Sequence, residues 1–217
     1  FRGLIASNDI MADVKEDDEY MEIEVMGMQF NWLIRYPGED NMLGARDFRL
    51  TTGVNPIGQL WTDPKNLDDL QPSEIVLPVG KKVRVRILAR EVLHSFFLPH
   101  FRVKMDAVPG MPTYFVFTPS ITTEEYRQQL REYPEYQVPA DPSDPEGPQK
   151  WEVFEYELAC AELCGSGHFS MRKVVRVVEQ DEYDAWLASQ TPYYLSSIRG
   201  KESDPFKDQL FDFEIEE

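Results

Sequence analysis

The chain has 217 residues, 42% of them hydrophobic and 12% aromatic, which is typical of a globular protein with one substantial core. Its formal net charge of −17 argues against binding to nucleic acid, because the phosphate backbone would repel it. No apolar stretch approaches the roughly 20 residues that span a bilayer, so the sequence as given predicts a soluble domain.

Alternation of apolar and polar residues predicts the first strands. Apolar side chains alternate with charged ones over residues 22–25 and again over 82–87, which is the period of half-buried strands. Between them, residues 37–72 are polar and lack sustained periodicity, so we predict an insertion there. The apolar run 91–99 and the aromatic, β-branched segment 113–118 are typical of further strands.

A short helix and a long loop are predicted next. Residues 123–133 favour a helix that Pro134 ends, and residues 134–148 are rich in Pro, Asp, Glu and Gly. Together they form a second predicted insertion at about 119–150.

Two more strands and a helix complete the predicted domain. In a strand over 151–160, alternation would direct Cys160 to the core side, and residues 171–179 favour another strand. Residues 181–189 offer an acidic start and an apolar face, which predicts a C-terminal helix. The fold class is therefore all-β, an antiparallel Greek-key β-sandwich or barrel with a short helical insertion and a C-terminal helix.

The most informative segment runs from Cys160 to Met171. Two thiols, an imidazole and a thioether lie within it, and soft sulfur donors select copper or zinc over magnesium or calcium. Cys160 and Cys164 are the two cysteines of the chain, and a disulfide between them would close too short a loop to stabilise much. A single blue copper needs one thiolate, so the second cysteine indicates two metals bridged by both sulfurs.

A further histidine ligand must come from elsewhere in the chain. His94 lies inside an apolar, strand-like run, whereas His100 follows a proline at its end. A histidine in such a run is more often a core residue, but the cysteine segment makes His94 the better candidate ligand.

These motifs resemble those of cytochrome c oxidase subunit II. The matching segments are Cys-x-Glu-x-Cys-x-x-x-His-x-x-Met at 160–171, Val92–Phe96, Lys104–Gly110, Met28–Trp32 and Tyr183–Leu187. The similarity covers about residues 20–190 without the two insertions. It implies a cupredoxin-like fold and a dinuclear copper (CuA) centre.

The resemblance implies a role for each candidate ligand. Cys160 and Cys164 would bridge both coppers, and His94 and His168 would each bind one. Met171 would be the weak axial ligand of the copper that His94 serves.

Four more residues receive implied roles. The backbone carbonyl of Glu162 would be the other axial ligand, and its side chain would point to a magnesium or manganese ion shared with subunit I; Asp106 would lie near the same interface. Family members usually carry a tryptophan at the position of Phe30, where electrons from cytochrome c enter. We expect Trp32, with Phe30 beside it, to form an apolar contact patch ringed by acidic side chains.

The implied protein is an electron-transfer subunit of an oxidoreductase complex. It would take electrons from cytochrome c and pass them to the haem of subunit I for oxygen reduction, while the isolated chain has no substrate site of its own. The domain would face the periplasm on the bacterial inner membrane, with the mitochondrial intermembrane space as the alternative. The implied organisation is an acidic segment after a membrane anchor missing from this sequence (1–19), the copper domain (20–190) and an acidic tail (191–217).

Three other interpretations remain open at this point. A structural zinc site could use the same His and Cys ligands but leaves Met171 unexplained. A nitrous oxide reductase has a similar centre but needs a much larger catalytic domain. A β-sandwich with an incidental thiol pair would bind no metal.

Overall fold

A computed structural model describes residues 12–15 and 17–208. Its strands are β1 (Met21–Met28), β2 (Asn31–Arg35), β3 (Ile75–Pro78), β4 (Val83–Ala89), β5 (His94–Leu98), β6 (Val103–Ala107), β7 (Thr113–Phe117), β8 (Tyr156–Cys160) and β9 (Arg172–Val178). The α-helices are α1 (Thr123–Leu130) and α2 (Gln180–Ala188), and a π-helical turn covers Tyr194–Ile198. Within the part of the chain that the structure describes, no helix is long and apolar enough to cross a membrane.

Two sheets form the larger compact unit, whose described part comprises residues 12–15, 17–34 and 72–189. One has the strand order β2-β1-β4-β7 and the other β3-β9-β8-β5-β6. Trp32 on β2 and Phe96 on β5 meet edge to face with ring centroids 6.2 Å apart, so side chains of the two sheets share one core. The predicted all-β sandwich with a helical insertion and a C-terminal helix is confirmed, but the sheets are mixed rather than antiparallel, because β1 pairs with β4 and β3 pairs with β9 in parallel.

The first sheet is built around β1. Five consecutive residues of this strand, Ile23–Gly27, are buried, because β2 and β4 flank it and both of its faces are covered. β1 runs parallel to β4, with Ile23 opposite Val85 and Val25 opposite Ile87. The two strands predicted from this alternation therefore pair with each other at the centre of one sheet.

Several predicted elements differ at their ends from the observed ones. Helix α1 ends at Leu130, four residues before Pro134, rather than at residue 133. Its start has a capping box in which Thr122 and Glu125 bond reciprocally. Strand β8 begins only at Tyr156, because residues 151–153 form a turn. Helix α2 begins and ends one residue earlier than predicted. In β8, Tyr156 and Leu158 are buried as the alternation predicts, and Cys160 is half-buried.

A second compact unit combines residues 35–71 with a C-terminal segment whose described part is residues 190–208. In its described part, Trp61 packs with Tyr194 and Ile198 in a small core of its own. The predicted insertion at 37–72 and the start of the predicted tail therefore fold together. The remainder of that tail, residues 209–217, and most of the predicted acidic N-terminal segment lie outside the described residues.

A buried polar network links the strands and turns of this second unit. Arg35 forms an ion pair with Asp69 at 2.6 Å, and neither side chain is exposed to solvent. Arg35 also donates to the side-chain oxygen of Asn66 (2.8 Å), to which Gln59 donates as well (3.0 Å). These hydrogen bonds offset the cost of burying the two charges.

Candidate metal centre

Strand pairing brings the candidate ligands together. His94 is the first residue of β5 and Cys160 the last of β8, and these strands are antiparallel neighbours with Phe96 opposite Cys160. Cys164, His168 and Met171 follow on the connection between β8 and β9, which we call the ligand loop (residues 161–171). Residues far apart in sequence thus meet at one end of one sheet.

Each cysteine sulfur lies beside one imidazole and one further donor. The contacts are Cys160 Sγ to His94 Nδ1 (3.8 Å) and to the Glu162 carbonyl oxygen (3.2 Å), and Cys164 Sγ to His168 Nδ1 (3.6 Å) and to Met171 Sδ (3.3 Å). One Nδ1/Nε2 or Sγ atom from each of His94, Cys160 and Cys164 lies within 4.8 Å of the others. The six predicted donor groups therefore form a single cluster.

Burial shifts the pKa values of two candidate ligands, His94 and Cys164. Burial lowers the pKa of His94, and the nearby His168 lowers it further, so the imidazole is neutral at pH 7. Burial and the neighbouring Cys160 raise the pKa of the Cys164 thiol to about 11. In the absence of a metal, Cys164 is thus protonated, and a metal must displace that proton.

The donor set suits a soft metal. It offers two thiols, two imidazole nitrogens, a thioether and a backbone carbonyl, and no carboxylate side chain is among these donors. His94, Met171 and Cys164 are buried, so most of the side-chain donors are shielded from solvent. Such a set fits copper, and the residues present match the group that the sequence predicts.

His100 lies away from this cluster. Its ring packs edge to face against Phe154, with centroids 4.9 Å apart, on the short turn Pro99–Phe101. Of the two histidines considered from the sequence, the structure brings His94 to the cysteines.

The residues predicted for a second metal do not gather into a site within this chain. Glu162 is exposed, and Asp106 is exposed and accepts a hydrogen bond from the Ser95 hydroxyl at 2.9 Å. Among the described residues, the one group of three or more His, Cys, Asp and Glu that could hold an ion is His94, Cys160 and Cys164. A role for Glu162 and Asp106 in a shared ion stays a prediction.

The prediction of a surface patch formed by Trp32 is wrong. Only 1% of Trp32 is exposed, and its ring lies 5.9 Å from the His94 ring, centroid to centroid. Phe30 precedes β2 in a turn and is half-buried. Strand β5 of the other sheet packs on the face of β2 that carries Trp32, through His94 and Phe96, and alternation within one strand does not reveal such a contact.

Sequence reasoning missed three residues that touch the cluster. Gly27 lies against the His94 ring, and Gln29 donates its side-chain amide to the Cys164 carbonyl at 2.6 Å. Gly167 lies against the Phe30 ring. The Gly-Ser-Gly sequence between Cys164 and His168 was the available signal, since two glycines there suggest a close approach by another segment.

Comparison with known proteins identifies relatives. Residues 21–128 match the family model described as the periplasmic domain of cytochrome c oxidase subunit II. The alternative cytochrome c oxidase subunit 2 of Bradyrhizobium diazoefficiens is 36% identical over 174 residues, covering 79% of this chain and 52% of that protein. Cytochrome c oxidase subunit 2 of Thermostichus vulcanus is 27% identical, covering 85% of this chain and 36% of that protein.

Among solved structures, the periplasmic domain of subunit II of cytochrome oxidase (CoxB) of Bradyrhizobium japonicum is similar. Its TM-score is 0.48 at 26% identity, covering 81% of this chain and 94% of that one. The chain thus spans about half, or less, of the length of the two relatives compared above.

Proposed function

This chain belongs to the family of the cytochrome c oxidase subunit II periplasmic domain, and from that premise we propose that it is the electron-transfer domain of a respiratory haem-copper oxidase. The single observation that carries the proposal is the pairing of donors. Cys160 lies beside His94, and Cys164 lies beside His168. Two thiols each with its own imidazole suit two metals that share both sulfurs.

We propose that two coppers are held by six groups. These are the side chains of His94, Cys160, Cys164, His168 and Met171 and the carbonyl of Glu162. When bound, the copper pair would supply a reversible one-electron couple. The chain's own residues hold the ligands at strand ends and bury His94 and Met171, which limits both ligand movement and solvent reorganisation.

The partners follow from the same premise. We propose that cytochrome c or a cytochrome c domain delivers electrons and that the haem of subunit I receives them. Phe30 and Trp32 are the proposed residues near which electrons enter, with Phe30 half-buried at the surface and Trp32 in the core between Phe96 and His94. Glu162 and Asp106 would face subunit I and an ion shared with it. The domain would lie on the periplasmic side of a bacterial inner membrane.

The proposal predicts two coppers per chain with one unpaired electron delocalised over both. Purified protein should be loaded with copper and analysed for metal content and by electron paramagnetic resonance. A ratio near one copper, or the spectrum of a single localised Cu(II), would contradict it. Stable binding of one zinc with no preference for copper would instead support the structural zinc site.

Copper loading should be strongly pH-dependent. Because Cys164 holds a proton below its pKa of about 11, raising the pH lowers the cost of removing that proton. The apparent copper affinity should therefore rise by about 10-fold per pH unit for each proton displaced. Competition titrations between about pH 6 and pH 8, with proton release measured in weak buffer, test this, and a flat affinity would contradict it.

A further inference from the structure

The turn between β1 and β2 contacts both segments that carry the metal ligands. We call residues 27–30 the bracing turn. On the side of His94, a Cβ atom at Gly27 would lie 2.8 Å from the imidazole ring, so the backbone there lies directly against the ligand. The Gly27 carbonyl accepts from the backbone of Arg90 (2.9 Å), and the Gln29 backbone donates to Glu91 (3.3 Å). The turn is thus tied to the segment that leads into His94.

The same turn also contacts the ligand loop. The Gln29 side-chain amide donates to the Cys164 carbonyl at 2.6 Å. The Phe30 ring lies against the two glycines that follow, and a Cβ atom would be 2.8 Å from it at Gly165 and 2.5 Å at Gly167. Gly165 has a φ of +138°, a backbone conformation that residues with side chains rarely adopt, so the ligand loop favours glycine at this position.

We propose that Gln29 and Phe30 are positioning residues that hold the His94 segment and the ligand loop at the separation that the copper centre requires. The proposal rests on the function proposed above. Neither residue supplies a ligand atom, and both act through the backbone that carries Cys164 and His168. Residues that orient metal ligands in this way commonly change metal affinity by about 10- to 100-fold when they are replaced.

The contact between Phe30 and Gly167 allows a sharp test. Gly167 has a φ of −94°, which alanine adopts without strain, so the effect of Gly167→Ala must come from the new methyl group against Phe30. We expect Gly167→Ala to weaken copper binding by about 10- to 100-fold and to alter the copper spectrum. Phe30→Gly should weaken copper binding as well, because the ligand loop loses the ring that packs against it.

The double variant tests whether the substitutions at positions 30 and 167 affect copper binding through their mutual contact or independently. Alanine at position 30 would keep a Cβ atom only 2.9 Å from the new methyl group, so the whole side chain must be removed, and Phe30→Gly/Gly167→Ala should match Phe30→Gly alone within about 2-fold. Effects that multiply, each variant weakening binding by its own factor, would overturn the proposal. The readouts are copper competition titrations and copper spectra, together with thermal unfolding of each copper-free variant.

Two further variants complete the experiment. Gly53→Ala is the matched control, because a Cβ atom there has nothing within 4 Å, and it should leave copper binding unchanged. Gln29→Met keeps the size of the side chain but loses the donor to Cys164, so it should weaken copper binding by about 10-fold without lowering the melting temperature of the copper-free protein. This variant tests the proposal even if Gly167→Ala does not fold, and unchanged affinity would overturn it.

The wild-type protein separates failure of this inference from failure of the proposed function. If it does not load two coppers, the function proposed above fails. If it loads two coppers normally but the Phe30 and Gly167 effects multiply, only the bracing role of the turn fails.

Discussion

Cys160→Ser should abolish the two-copper centre. The Cys160 sulfur lies 3.8 Å from His94 Nδ1 and 3.2 Å from the Glu162 carbonyl oxygen, so it is next to two other donors of the cluster. A serine hydroxyl is a harder donor that does not ionise at neutral pH, and it cannot bridge two coppers as a thiolate does. We expect the copper content to fall from two per chain to one or none, with affinity reduced by more than about 100-fold, beyond the loss typical of residues that only orient ligands.

The measurement is copper content and electron paramagnetic resonance, alongside thermal unfolding of the copper-free protein. Ser166→Ala is the matched control, because it changes an exposed residue of the same loop and should retain both coppers. Two coppers and a delocalised spectrum in Cys160→Ser would show that the assignment of bridging ligands is incorrect.

Trp32→Ala should lower the free energy of unfolding by about 3–5 kcal/mol, as is usual when a buried aromatic ring is removed. The ring is 1% exposed and contacts both His94 and Phe96 in the core of the sandwich. Because the cavity would adjoin the His94 ring, we also expect an altered copper spectrum. The surface-patch interpretation, by contrast, required an unchanged spectrum and slower electron transfer from the donor.

Denaturant unfolding of the copper-free protein and spectra of the copper-loaded form measure both effects. Phe48→Ala removes another aromatic ring, but one that is 78% exposed, and should change stability by no more than about 0.5 kcal/mol. A Trp32→Ala variant with wild-type stability and an unchanged spectrum would mean that the tryptophan is not part of the core.

The strands were the most predictable part of the fold. Alternation predicts strands over residues 22–25 and 82–87, and residues 22–25 and 83–87 lie in β1 and β4, although Glu24 on the predicted polar face of β1 is buried as well. Ends of elements were less predictable, because they depend on local hydrogen bonds. The turn at residues 151–153 that shortens β8 is one example.

The candidate ligands also follow from local chemistry. Cys160, Cys164, His168 and Met171 place four candidate donors within twelve residues, at the end of β8 and along the ligand loop. Selecting His94 rather than His100 required only its position in an apolar run. Those assignments as copper ligands stay predictions until metal is measured.

Sequence alone therefore determined the family, the all-β class and the set of soft donors, because each depends on residue type and short spacing. Tertiary structure decided that Trp32 is buried, that Gln29 and Phe30 reach the ligand loop, and that residues 35–71 fold with the chain end. These features depend on contacts between residues distant in sequence, such as Gln29 and Cys164, which are 135 positions apart. A pattern within one strand shows which side chains share a face, but only the packing of neighbouring strands shows what covers that face.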